Sequence, residues 1–200
     1  MITFSDAIFA IAMTLLVVGI EVPKLDDPDS VGELADALDD VSDSLVSFFI
    51  SFAVIGRYWV AHHSFFSLLG RMSRRLIWTN LLYLAFIAFL PFPTGVLGDF
   101  FDNPLALGIY AVTVALVSGL EVLSFQVAYR GGLLAREMPP EVHRWGTVMA
   151  LSPVAFFLAS VPVAFLAGSE IAVIVWFLVI PFQIVANRQK PASADEFALG

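Results

Sequence analysis

Six long apolar runs, broken by a single internal charge, constrain this chain more than any other feature: Ala7 to Ile20, Ser44 to Gly56 continuing past Arg57 to Phe66, Leu76 to Gly98, Pro104 to Leu120, Trp145 to Ser169 and Ile171 to Asn187. A helix rises about 1.5 Å per residue, so roughly 20 apolar residues cross a hydrocarbon layer about 30 Å thick. Inside lipid every backbone amide must be satisfied within the protein, and a run of this length does so as a helix. The expectation is an all-α membrane protein with six transmembrane helices, the fourth continuing past Glu121 to Tyr129. Composition agrees, with 59% hydrophobic residues, 14% charged and a mean hydropathy of +0.87, far more apolar than a soluble domain. Six spans use most of the 200 residues, so residues 1–190 read as one membrane domain and 191–200 as a flexible tail or cloning scar. The first run lacks a basic n-region and a small-residue cleavage site and reads as a retained helix. The absence of cysteine excludes disulfides and thiolate metal sites.

The basic residues set the orientation. Arg71, Arg74 and Arg75 lie between the second and third runs, Arg130, Arg136 and Arg144 between the fourth and fifth, and Arg188 and Lys190 after the sixth, whereas the opposite side has only Lys24. The positive-inside rule then puts both termini in the cytoplasm. The outer loops carry Glu21, Asp26, Asp27, Asp29, Glu33, Asp36, Asp39, Asp40, Asp43, Asp99, Asp102 and Glu170. That surface would enrich cations at an outer mouth, and it equally suits a solvated face of an acidic protein. The stretch VGELADALDDVSDSLVSFF has apolar residues at helical spacing and reads as an amphipathic extension of the second span, with Asp29 or Ser30 as its N-cap.

Ionisable groups at membrane depth need a partner or an aqueous path. Asp6 opens the first span, Arg57, His62 and His63 lie in the second, Trp78 and Asn80 open the third, and Glu121 falls late in the fourth. With alternating span directions, Asp6, the histidine pair and Asn80 come out at one end of the bundle, and a hydrogen-bonded knot pinning the first three spans is favoured over a direct role in permeation or proton sensing. Adjacent histidines on a helix point about 100° apart, which argues against a shared zinc site. The sequence holds no HExxH, GxSxG or Walker pattern and no paired intramembrane aspartates, so no enzyme, resident metal, cofactor or nucleic-acid partner is expected. The potassium-filter sequence TVGYG is absent too.

On a helical wheel Ile11, Leu15 and Val18 fall within about 60° of one another, Thr14 sits about 60° to one side of Ile11, and Asp6 lies about 140° away. From periodicity alone the aliphatic stripe reads first as core or lipid contact. Arranged around a symmetry axis, it would form a hydrophobic constriction able to gate by drying.

The run from Phe4 to Leu16 (FSDAIFAIAMTLL), together with Trp59-Val60-Ala61-His62-His63, Arg74-Arg75-Leu76-Ile77-Trp78-Thr79-Asn80 and Leu90-Pro91-Phe92-Pro93-Thr94, resembles the TMEM175 family in order and in span. The resemblance covers the first three helices. It implies a homotetrameric, potassium-favouring cation channel of the bacterial inner membrane, with the first helix lining the pore and no selectivity loop. It also implies that Ile11 forms the tightest ring, that Leu15 and Val18 add further pore-facing layers, and that Thr14 supplies a hydroxyl layer. Ser5, Asp6, His62 or His63, Trp78 and Asn80 carry over as the interhelical network. The family usually has an arginine six residues before the aspartate, a position just ahead of Met1, so the expectation is either an earlier native start or a missing cytoplasmic contact. The alternative function is a proton-coupled secondary transporter using Asp6, His62/His63 and Glu121 as a relay, although no inverted repeat is visible.

Overall fold

The computed structural model describes residues 2–197 as helices joined by short turns, with no named strand among the described residues. In chain order these are α1 (Ile2–Val18), α2 (Val31–Asp40), α3 (Ser42–Ser67), α4 (Arg74–Phe89), α5 (Pro91–Asp99), α6 (Pro104–Arg130), α7 (Pro140–Ala167), α8 (Ser169–Phe177) and α9 (Val179–Asn187), then a 3₁₀ turn over Ala192–Phe197. Five segments are long and apolar enough to cross a membrane: Ser42–Ser67, Arg74–Asp99, Pro104–Arg130, Pro140–Ala167 and Ser169–Asn187. The 17-residue α1 is a shorter apolar helix, about 25 Å long at 1.5 Å per residue.

Two runs that read as continuous are interrupted. At Leu90 the chain passes from α4 to α5, because Pro91 has no amide to offer the carbonyl of Ile87, and Leu90 N reaches both Phe86 O (3.1 Å) and Ile87 O (3.2 Å) instead. Pro181 likewise withholds the amide that would bond Phe177, and the last crossing breaks at Leu178 into α8 and α9. The amphipathic α2 forms as expected but is separated from α3 at Val41. Of the two candidate caps it is Ser30 that acts, its hydroxyl accepting from Glu33 N at 3.2 Å.

The main core joins the inner face of α1 (Phe9, Ala12, Leu16) to Ile55 and Tyr58 of α3, Tyr83 and Ile87 of α4, Tyr110 and Val114 of α6, and Trp176 of α8. Lipid is as apolar as these side chains, so close packing and buried hydrogen bonds must hold the helices together, the bonds contributing about 0.6 kcal/mol each on average. Several tie α3 to its neighbours. Ser51 Oγ donates to Tyr110 Oη at 3.0 Å, and Thr94 Oγ1 lies 2.8 Å from Ser51 Oγ. Tyr58 Oη lies 3.1 Å from the Val114 carbonyl and also bonds Ser118 Oγ. Farther along, Trp176 Nε1 donates to Ser160 Oγ at 2.7 Å and locks α8 to α7.

A second core sits at the end of the bundle that carries the arginine-rich loops, built from Phe65, Phe66, Leu76, Phe125, Leu133 and Val142, and it also takes in Ala194 and Phe197. Within the stretch 191–200 that reads as a tail, Phe197 is 6% exposed, and Lys190 Nζ meets Asp195 Oδ1 at 2.9 Å. The apolar ring of Phe197 joins the second core at the end of the short 3₁₀ segment. The rest of that expected tail, residues 198–200, lies outside the described residues, as does Met1.

Candidate functional site

α1 has two faces of different fate. Ser5, Phe9, Ala12 and Leu16, at alternating four- and three-residue spacing, are buried against α3, α4 and α5. On the other side Ile11 is 56% exposed, Leu15 46% and Val18 74%. Thr14 is exposed with them, and its hydroxyl donates to the Ile11 carbonyl at 2.9 Å. The chain therefore turns the whole aliphatic stripe away from its own core, and the short side chains of Ala12 and Ser5 let the opposite face lie close to its neighbours.

The polar residues expected as one knot form two separate bonds. Asp6 Oδ1 accepts from Trp59 Nε1 at 2.9 Å, joining α1 to α3. His62, 5% exposed, places Nε2 2.9 Å from Asn80 Oδ1, joining α3 to α4. The His62 ring stacks on Phe66 (centroids 4.2 Å apart) and Tyr83 (5.7 Å) and meets Phe9 of α1 edge-on at 5.5 Å. One histidine therefore contacts all three helices that the sequence reading sought to pin.

Two expected members stand apart. His63 is exposed beside the Trp59 ring, with centroids 5.8 Å apart. Trp78 is 67% exposed and has no hydrogen-bond partner among the described residues. Helical geometry accounts for both: neighbours on a helix diverge by about 100°, so only one of two adjacent histidines can face inward, and Trp78 points about 200° from Asn80, two positions on. Ser5 is fully buried as expected, but its hydroxyl finds no partner among the described residues.

Sequence reasoning missed Trp59 as the partner of Asp6. The signal was present, since Trp59 precedes His62 by three residues and so shares its side of α3, with an indole donor in need of an acceptor. The Arg57–Glu121 pair was also missed. Its nitrogen and oxygen are 3.5 Å apart, between α3 and α6. Two lone opposite charges at similar depth on helices running the same way are mutual candidates by cost alone. Chemically the site offers an outward aliphatic stripe on a helix whose opposite face is clamped by buried aromatic and polar contacts.

Residues 1–91 match the family model described as endosomal/lysosomal potassium channel TMEM175. Among relatives, a potassium channel of Streptomyces collinus is 40% identical over 126 residues, covering 63% of this chain and 60% of that protein. One from Chamaesiphon minutus is 42% identical over 103 residues, covering 52% and 50%. The matched region thus spans about half to three fifths of the curated relatives' length. In three dimensions the chain matches the crystal structure of a lysosomal potassium-selective channel TMEM175 homologue from Chamaesiphon minutus with a TM-score of 0.72 at 29% identity, covering 93% of this chain and 96% of that one. By sequence over its first 91 residues and by fold over 93% of its length, the chain is similar to the TMEM175 family.

Proposed function

We propose that four copies of this chain assemble around α1 into a passive, potassium-favouring cation channel of the bacterial inner membrane, with both termini in the cytoplasm. The observation that carries this reading is the outward stripe of Ile11, Leu15 and Val18 on a helix whose other face is fully engaged. Rings of branched aliphatic side chains offer a passing ion no ligands, so the barrier is water loss and pore drying. Potassium holds its hydration shell less tightly than sodium does, and a constriction of this kind favours it without a carbonyl filter. Thr14 donates its proton to the Ile11 carbonyl and so keeps its oxygen lone pairs free to face a cation next to the constriction. The acidic loop and α2 raise the local cation concentration at the outer mouth.

A carrier would need Asp6, a histidine and Glu121 to pass one proton along. Each is instead committed elsewhere: Asp6 to Trp59, His62 to Asn80 and Glu121 to Arg57. The test is purified protein in liposomes under a potassium gradient, with Ile11→Asn alongside. A channel passes potassium down the gradient without a coupling ion, and Ile11→Asn raises the flux while reducing the preference over sodium. Flux that requires a proton or sodium gradient would overturn the channel reading. A folded Ile11→Asn protein with unchanged flux and selectivity would overturn the pore assignment.

A further inference from the structure

Between α3, α4 and α6 lies a small pocket lined by His62, Asn80, Tyr83, Glu121 and Ser124, together with Phe65 and Phe66. Its volume is about 10 Å³, roughly what one water molecule needs and too little for a larger ligand. Two polar atoms at this pocket, Asn80 Nδ2 and Tyr83 Oη, are buried with no hydrogen-bond partner among the described residues, and a third, Glu121 Oε2, has no hydrogen bond beside its 3.5 Å ion pair with Arg57. Asn80 and Tyr83 are each 2% exposed. Leaving the first two unpaired in an apolar bundle costs about 1–3 kcal/mol each, and their meeting with the Glu121 carboxylate around one pocket implies a shared partner.

We propose that this pocket binds a single water molecule that links the His62–Asn80 pair to the Arg57–Glu121 pair. The donor and acceptor inventory closes around water. Asn80 gives its oxygen to His62, so its amide N–H groups face the pocket and donate to the water, as does the Tyr83 hydroxyl. The water then donates one proton to Glu121 Oε2 and the other to Ser124 Oγ, whose own proton goes to the Leu120 carbonyl at 2.9 Å. Two bonds accepted and two donated saturate it. A cation would not suit the site, because an amide nitrogen lines it in place of a carbonyl oxygen. Glu121 also lines a wider cleft of about 290 Å³ beside Arg57, which supplies a route for the water to enter and leave. The bound water would make one polar chain from His62 on α3, through Asn80 and Tyr83 on α4, to Glu121 on α6.

The decisive observation is an experimental structure of the assembled wild-type protein at a resolution that shows ordered solvent, paired with thermal unfolding of Tyr83→Phe. The proposal expects a solvent peak within hydrogen-bond distance of Asn80 Nδ2, Tyr83 Oη and Glu121 Oε2, and a Tm for Tyr83→Phe lower by about 2–4 °C, the shift expected for one lost bond in a chain of this size. An empty pocket, a direct Tyr83–Glu121 bond, or a peak with the short oxygen-only contacts of a cation would each overturn it. So would an unchanged or raised Tm for Tyr83→Phe, because removing a hydroxyl that has no partner relieves a cost.

Discussion

Removing Arg57 should damage this protein far more than removing its partner Glu121, and the asymmetry follows from burial. The two groups are 3.5 Å apart, with side-chain exposures of 42% for Arg57 and 14% for Glu121. At an effective dielectric of about 20 the gross attraction at that distance is about 5 kcal/mol, most of it offset by desolvation. Arg57→Met leaves a largely buried carboxylate without its counter-charge, and breaking a buried pair in this way costs about 3 kcal/mol per subunit. Glu121→Gln leaves the more exposed partner of the pair, with a neutral amide still beside it, so the loss should be about 1 kcal/mol. The double variant Arg57→Met/Glu121→Gln has no uncompensated charge and should recover about 2 kcal/mol relative to Arg57→Met alone. Equilibrium unfolding of the four proteins in one detergent, followed by circular dichroism, reads these differences. Equal losses for the two single variants, or a double variant no more stable than Arg57→Met, would refute the reasoning.

Asp6→Ala and Trp59→Phe each remove one end of a half-exposed charge-assisted bond, so each should cost about 1 kcal/mol. Both should lower the yield of assembled protein on size exclusion while leaving ion preference unchanged. Asn80→Leu strands the buried Nε2 of His62 and should cost about 2 kcal/mol, measured in the same unfolding assay, whereas Trp78→Phe should leave the stability of the isolated subunit fold unaltered. The backbone amides of Asp26 and Asp27 donate to Glu33 and hold its carboxyl below the usual glutamate range. A depressed folded pKa means that the clamp on this loop is complete above the ordinary glutamate value and is lost as the pH falls through the lowered one. The amide resonances of Asp26 and Asp27 should therefore share a component that follows the Glu33 carboxyl through that acid window, and Glu33→Gln should remove that shared component.

Much of this architecture could be read from residue chemistry. Long apolar runs have few solutions in lipid, so the crossings were visible, as were the helical α2 and its cap at either Asp29 or Ser30. The two faces of α1 were legible because Asp6 and Ile11 diverge on the wheel, and the structure puts Ser5, Phe9 and Leu16 on one side and Ile11, Leu15 and Val18 on the other. Interruptions at Leu90 and Leu178 were not read, although Pro91 and Pro181 marked them, because hydropathy is insensitive to a missing amide. Partner choice was the least legible layer. Which histidine faces inward, whether Trp59 or Asn80 meets it, and whether Arg57 pairs with Glu121 depend on the rotation of each helix about its axis, and apolar neighbours on every side give no gradient from which to read that rotation. The Ser51–Thr94–Tyr110 cluster was missed for the same reason: a hydroxyl in an apolar run looks neutral until its partner's helix is placed beside it.

The claim that α1 lines an ion path is open to direct attack because the chain has no cysteine. In Ile11→Cys every thiol in the assembly lies on the proposed pore axis, and in Leu16→Cys, at a position only 4% exposed against the chain's own core, none does. Potassium current through both variants in planar bilayers, before and after a small membrane-impermeant cationic thiol reagent, is the measurement. The account predicts that the Ile11→Cys current is blocked and the Leu16→Cys current persists. A Ile11→Cys current untouched by the reagent, with labelling of the thiol confirmed by mass, would contradict it.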